Sequence, residues 1–252
     1  VMGPDLMNKF REQSEKFGAE IITGEVKEVD FSTKNFKLFL DNNTIINSKS
    51  VIISTGASAK MLGLKEESLL IGKGVSTCAT CDGFFFRDQD VIVVGGGDSA
   101  MEEALFLTKF AKKVYIIHRR EEFRASQIML DRAKSNEKIE FILNCEVIKI
   151  NNPNENKVTD VVLKNNKTDK TNNMNIDAVF IAIGHIPNTS LFKNYLNLNE
   201  NGYILTEEGT KTNIPGVFAC GDVQDWEYRQ AITAAGSGCM AAIDTERYLA
   251  NL

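Results

Sequence analysis

The chain has 252 residues, 29 Lys and Arg against 34 Asp and Glu, and a formal net charge of −5. With 43% apolar and 25% charged residues it has the make-up of an ordinary folded protein. That excludes disordered, collagen-like and small disulfide-framework classes, and the length suits one large domain or two of common size. The acidic balance argues against nucleic acid or an anionic membrane as partner, and the longest apolar runs, such as 178–183, fall far short of the roughly 20 residues of a membrane helix. No apolar signal core follows Val1, and five scattered cysteines do not form a secreted disulfide framework. These features predict a reducing, cytoplasmic setting.

Leu6, Met7, Phe10 and Phe17 recur at helical spacing over 5–17, with Gly18 as a stop. Segments 20–31, 36–40 and 50–54 read as strands of a β-meander, with Asn42-Asn43 at a turn. The meander runs into a small-residue turn, Thr55-Gly56-Ala57, and 61–74 reads as a connection between domains. The character then changes. Residues 91–94 form a β-branched run suited to a strand buried on both faces. Three glycines, a helix over 98–111 and a second strand over 113–117 follow, a βαβ opening. Another helix is predicted over 124–134. The Asn- and Lys-rich segment 151–175 reads as polar turns around a strand at 158–163, rather than as an interaction segment. Strands over 175–183 and 217–220 and a long helix over 230–252 complete the order.

Gly95-x-Gly97-x-x-Ala100 lies directly after a strand and opens a helix, the context in which this spacing signals a dinucleotide. The first glycine permits the tight turn, the second admits a pyrophosphate, and Ala100 lets helix and strand pack closely. Asp98 and Ser99 stand in the first helical turn, whose N–H groups and dipole favour phosphate. At the end of the second strand an NAD site would carry a carboxylate for the ribose 2′-hydroxyl. Here stand His118-Arg119-Arg120, with Arg124 one turn on. Guanidinium groups bind a 2′-phosphate through paired, charge-assisted hydrogen bonds, so the pattern predicts NADPH over NADH. The competing reading is a basic surface patch without a ligand.

Cys78-Ala79-Thr80-Cys81 lies before this site. A zinc centre needs two more ligands at suitable spacing, and the remaining cysteines and the two histidines are solitary. Two inert thiols or a redox-active dithiol remain, and the two-residue spacing favours the dithiol. Asp82 can carry the proton that thiol exchange requires, or can serve as a turn residue. Of Phe84-Phe85-Phe86, at least one ring can form an apolar docking surface; the other reading packs all three in the core.

NADPH delivers two electrons as a hydride, and a flavin normally mediates between it and a disulfide. The segment 217–222 supplies a plausible flavin site: Gly221 for close approach, Asp222 for a ribityl hydroxyl, and Arg229-Gln230-Ala231 opening the last helix.

The cysteine block 78–85, the fingerprint 95–100, His118-Arg119-Arg120, Phe123-Arg124-Ala125, 184–188, 216–222 and Tyr228-Arg229-Gln230-Ala231 together closely resemble low-molecular-weight, bacterial-type thioredoxin reductases, in one order from Gly3 to Leu252. The resemblance implies an α/β fold of two Rossmann-like, three-layer nucleotide-binding domains. The NADPH domain (62–187) carries the cysteines and is inserted in the FAD domain (1–61 and 188–252). It implies FAD and NADPH as cofactors, thioredoxin as partner, a homodimer and a rotation between domains. It maps Arg119, Arg120 and Arg124 onto 2′-phosphate contacts. It maps Cys78 and Cys81 onto the redox pair, with Cys81 nearer the flavin, and Asp82 onto the acid. Lys73, Phe84 and Phe85 fall where thioredoxin docks. Asp222, Arg229, Gln230 and Ala231 fall on flavin contacts, while Thr55, Gly56 and 184–188 fall near the connecting strands.

Two departures stand out. The family's own FAD fingerprint is absent before Gly95, so the chain is expected to lack that N-terminal segment, and Cys220 replaces a small apolar residue. The alternatives are a flavin-free NADP-binding redox module, or a related reductase serving a peroxiredoxin or a ferredoxin. The cysteine pair counts against the ferredoxin version.

Overall fold

The structure, a computed structural model, describes residues 2–252. The protein is mixed α/β, and its chain divides into two compact units. One comprises Val1–Ala57 with Pro187–Leu252, the other Ser58–Ile186.

The continuous unit is built on a five-stranded parallel sheet in the order Val75–Ser76, Ala178–Ile181, Asp90–Val94, Lys113–His118, Ile139–Leu143. Its central strand explains the β-branched run. Val91 and Val93 face the helices Asp98–Leu107 and Gln127–Lys134, packing on Met101, Ala104 and Leu130. Ile92 and Val94 face the other way, onto a three-stranded antiparallel sheet (Cys145–Ile150, Asp160–Asn165, Thr171–Asn175) through Val147, Ile150 and Val161. The result is three layers. Strand order reverses between Asp90–Val94 and Ala178–Ile181, the point where open parallel sheets bind ligands.

The helix expected over 98–111 ends at Leu107, and the Lys138 ammonium closes it by donating to the Thr108 and Ala111 carbonyls at 2.9 Å each. The helix expected over 124–134 begins only at Gln127. The backbone N–H groups of Arg124, Ala125 and Ser126 are committed to the glycine-rich turn and Asp98 instead. The connection 61–74 is ordered by buried Glu67, whose carboxylate accepts the N–H groups of Leu62, Gly63 and Leu64 at 2.8–3.2 Å. The Asn-rich segment holds the strand Asp160–Asn165, displaced by two residues from its expected place, and pairs with Thr171–Asn175.

In the discontinuous unit, Gly3–Lys16 is helical and buries none of its residues. The long strand expected over 20–31 shortens to Val26–Asp30, because its partner Phe36–Leu40 offers only five residues for pairing. The third meander strand is Ile45–Ser48, not 50–54. A tight turn, with Asn43 at φ 65°, brings Ile45 directly opposite Phe39. Val51–Ile53 is thereby released to pair in parallel with Val217–Ala219. A core of Phe31, Phe36, Ile53, Phe192, Ile204 and Val217 joins these pieces. The last helix, Ala231–Leu249, buries only Ala241 among its described side chains.

Candidate active site

The glycine-rich turn sits at the reversal point of the parallel sheet, and its residue types follow from contacts. A Cβ on Gly95 would lie 2.4 Å from the Ala182 carbonyl oxygen and 2.7 Å from the Ala100 Cβ, so both residues must be small. A Cβ on Gly96 would lie 2.2 Å from the His118 ring, a requirement that the spacing of Gly95 and Gly97 did not disclose. At Gly97 an added Cβ meets nothing within 4 Å, so the helix N-terminus opens directly onto free space. That space is a cleft of about 770 Å³. Of the residues singled out in the sequence, Gly95, Gly97, Ser99, His118, Arg119 and Arg124 line it, while Asp98, Ala100 and Arg120 do not. His118 is buried, stacks on Phe123 at 4.6 Å between ring centroids, and bonds the Glu122 carbonyl through Nε2 at 2.9 Å. It acts as a floor beneath the basic loop.

Cys78 and Cys81, in the same unit, are joined in a disulfide. Cys78 precedes the short helix Ala79–Asp82, and its Sγ accepts the Cys81 N–H at 3.2 Å and lies 3.3 Å from the Thr80 hydroxyl. Such donors favour a thiolate on Cys78 once the bond opens. Ser76 was not anticipated. Buried at the end of an edge strand, its hydroxyl donates to Asp82 Oδ2 at 2.6 Å and accepts the Cys78 N–H at 3.1 Å. One side chain thus fixes both the acid and the cysteine. Of the three phenylalanines, Phe86 packs edge-on against Phe180, whereas Phe84 and Phe85 are 61% and 74% exposed. Lys73 donates to the Asn156 side chain at 2.6 Å.

In the discontinuous unit, Thr55-Gly56 and Gly221-Asp222 follow the C-terminal ends of two adjacent parallel strands and so share one edge. Gly221 holds φ +71°, a conformation that favours glycine. Asp222 Oδ1 is buried with no hydrogen-bond partner among the described residues. Burial pushes its carboxyl up from the ordinary range, with the like charge of Asp225 adding to this and Arg229 opposing it. Asp225 behaves oppositely. Burial pushes it up, but the N–H groups of Tyr228, Glu227 and Arg229 and the Thr233 hydroxyl outweigh burial and leave it below the usual range. Those bonds shape the turn that holds Arg229 at φ +47° and delivers Gln230 and Ala231 to the start of the last helix. Thr55 and Gly56 are tied to Asn188: the Thr55 hydroxyl donates to its carbonyl at 2.8 Å, and the Asn188 N–H donates to the Gly56 carbonyl at 2.9 Å.

Residues 4–238 match the family model of pyridine nucleotide-disulphide oxidoreductases. The chain is 53% identical to a thioredoxin reductase of Streptomyces clavuligerus, over all of this chain and 78% of that protein. It is 51% identical to thioredoxin reductase 2 of Arabidopsis thaliana, over 99% of this chain and 67% of that protein. The crystal structure of thioredoxin reductase from Streptococcus pyogenes superposes with a TM-score of 0.93 at 41% identity, covering 100% of this chain and 82% of that one. The chain belongs to the thioredoxin reductases. Enzymes of this family use FAD and NADPH, and the residues present fit both groups. The open space at Gly97, walled by two arginines, suits a phosphorylated dinucleotide. The orphan Asp222 oxygen wants a hydroxyl donor, which a ribityl chain carries.

Proposed function

We propose that the protein is an NADPH-dependent flavoprotein disulfide reductase that reduces thioredoxin through Cys78 and Cys81. The observation that carries this reading is the Cys78–Cys81 disulfide, backed by the Ser76–Asp82 pair and set in the unit that holds the nucleotide cleft. In this reading, 62–187 is the NADPH-binding domain, and 1–61 with 188–252 forms the FAD-binding domain. The nucleotide is held by Gly95, Gly97, Ser99, His118, Arg119 and Arg124, with Ala100 and Asp98 shaping the turn and Arg120 adding charge at its edge. FAD is held by Thr55, Gly56, Gly221, Asp222, Arg229, Gln230 and Ala231. When bound, FAD converts the hydride of NADPH into the electron pair that opens the disulfide.

The chain's own groups then manage thiols and protons. Opening the S–S bond takes up two electrons and two protons and yields two thiols. The Cys78 thiolate, held by the Cys81 N–H and the Thr80 hydroxyl, attacks a partner disulfide to form a mixed disulfide, and the displaced partner sulfur takes a proton from Asp82, oriented by Ser76. Cys81 then attacks Cys78, which releases the second partner thiol and restores the Cys78–Cys81 bond. Phe84 and Phe85 offer the partner an apolar platform beside the cysteines. The partner is thioredoxin rather than a peroxiredoxin, in keeping with Ala79-Thr80 between the cysteines. The same reading carries a homodimer, supported by the outward apolar residues Ile232, Met240 and Ile243 of the last helix, and a cytoplasmic setting that suits the free thiols of Cys145, Cys220 and Cys239.

The test is a visible absorption spectrum after incubation with FAD and gel filtration. The reading expects a retained flavin band that bleaches on addition of NADPH. A colourless protein that binds NADP+ would instead support a flavin-free redox module.

A further inference from the structure

An acidic residue in the first turn of a phosphate-binding helix is unexpected, because its charge repels the ligand that the turn serves. Asp98 occupies that place and is not part of the cleft wall. Its Oδ1 instead accepts two bonds from one residue, the Ser126 N–H at 2.8 Å and the Ser126 hydroxyl at 2.9 Å. Two residues earlier, the Gly96 carbonyl accepts the N–H groups of Arg124 at 2.8 Å and Ala125 at 3.2 Å. Four hydrogen bonds therefore fasten 124–126 to the glycine-rich turn. The other end of the loop rests on the His118 ring, which packs against Gly96 and bonds the Glu122 carbonyl. Arg119 and Arg124 stand at the two ends of this closed loop, and both line the cleft.

We infer that Asp98 is a positioning residue that sets the preference for a 2′-phosphorylated nucleotide. By holding Ser126, it fixes the backbone of Arg124, so that binding a 2′-phosphate need order only the side chain and not the loop that carries it. The inference rests on the reading of this cleft as the NADPH site. Asp98 touches no ligand itself. Its charge opposes the binding of both nucleotides, and of NADP+ the more because of its extra phosphate, whereas its bonds to Ser126 strengthen only the binding that uses Arg124. The ratio of the two affinities, compared between Asp98→Ala and the charge-free but oxygen-bearing Asp98→Asn, therefore isolates the positioning role from the charge.

The experiment is calorimetric titration of the whole chain with NADP+ and with NAD+, for the wild type and for Asp98→Ala, Asp98→Asn, Ser126→Gly, Arg124→Gln and the Asp98→Ala/Arg124→Gln double variant. Asp98→Ala should lower the preference for NADP+ about fivefold, the size expected for loss of a solvent-exposed charge-assisted pair of bonds. Asp98→Asn removes the charge and keeps the accepting oxygen, so its preference should stay within about twofold of the wild type. Ser126→Gly, which keeps the N–H and loses the hydroxyl, should fall between them. In the Arg124→Gln background, Asp98→Ala should produce no further loss of preference, since the two act through one contact. Equal weakening of both nucleotides by Asp98→Ala, an unchanged ratio, or additive losses in the double variant would overturn the inference. If the wild type shows no preference for NADP+, or if Arg124→Gln leaves that preference intact, the nucleotide reading fails and the inference falls with it.

Discussion

The two units differ in how they house their sites. In the continuous unit a parallel sheet is covered on both faces, and the strands beneath the nucleotide cleft are buried along almost their whole length. Every residue of its fingerprint is explained by a contact or by open space within the unit. In the discontinuous unit, the first helix buries nothing and the last buries one residue among those described. A buried carboxylate oxygen lacks a hydrogen-bond partner among the described residues in each unit, Asp222 Oδ1 in this one and Asp90 Oδ1 in the continuous one. The comparison teaches that the glycine-rich turn and the disulfide sit on a unit whose sheet the chain itself covers on both faces, whereas the discontinuous unit leaves its first and last helices almost wholly unburied. A ligand that satisfies Asp222 should therefore stabilise the discontinuous unit far more than NADP+ does.

The largest expected effect falls on the cysteines. Cys81→Ser should lower thioredoxin reduction by about 10³-fold or more while sparing NADPH oxidation by a flavin-reactive acceptor, because the disulfide route requires both sulfurs. Equal loss of both activities would mean that the two units are not chemically separable. Next comes Gly95→Ala, whose Cβ would press on the Ala182 carbonyl. It should cost about 2–3 kcal/mol in a denaturant titration that reports the continuous unit. Arg119→Ala should weaken NADP+ binding by about tenfold, as expected for a lost charge-assisted contact, and Arg120→Ala by less than about twofold, since only Arg119 lines the cleft. Similar losses for the two would place the 2′-phosphate elsewhere.

What the sequence disclosed and what it did not follow from the range of the interaction. The glycine spacing, the cysteine pair and the basic cluster are local patterns, and the fold joins the two cysteines and brings Gly95, Gly97, Arg119 and Arg124, though not Arg120, to one cleft. The demand for glycine at position 96 was not legible, because it arises from a ring 22 residues away that folding brings beneath the turn. Ser76 gave no signal either. Its role exists only because the short helix Ala79–Asp82 folds Asp82 back onto it. The strand expected over 50–54 was real but was assigned to the wrong sheet, since the tight turn at Asn43 hands the meander its third strand earlier. Asp225 resembled any polar turn residue until its four donors were in place.

Two smaller effects sharpen the comparison. Ser76→Ala should reduce thioredoxin turnover by about fivefold, as for loss of one positioning hydrogen bond, and should alter its pH profile while leaving nucleotide affinity unchanged. Asp225→Ala should destabilise the discontinuous unit by about 1 kcal/mol at neutral pH, allowing for solvent screening. Because the folded state holds this carboxyl below its unfolded value of about 3.9, its stabilisation is present above that pH and vanishes as pH falls through the lower folded value. The gap in melting temperature between variant and wild type should therefore close in acid.

The most direct test of the electron path is a thiol count. The oxidised chain carries a Cys78–Cys81 disulfide and free thiols at Cys145, Cys220 and Cys239. After incubation with FAD and NADPH, acid quenching and alkylation under denaturing conditions, mass spectrometry should find all five cysteines modified, with Cys78 and Cys81 newly so. A count that stays at three, with Cys78 and Cys81 still joined, would contradict the claim that this chain carries electrons from NADPH to its own disulfide.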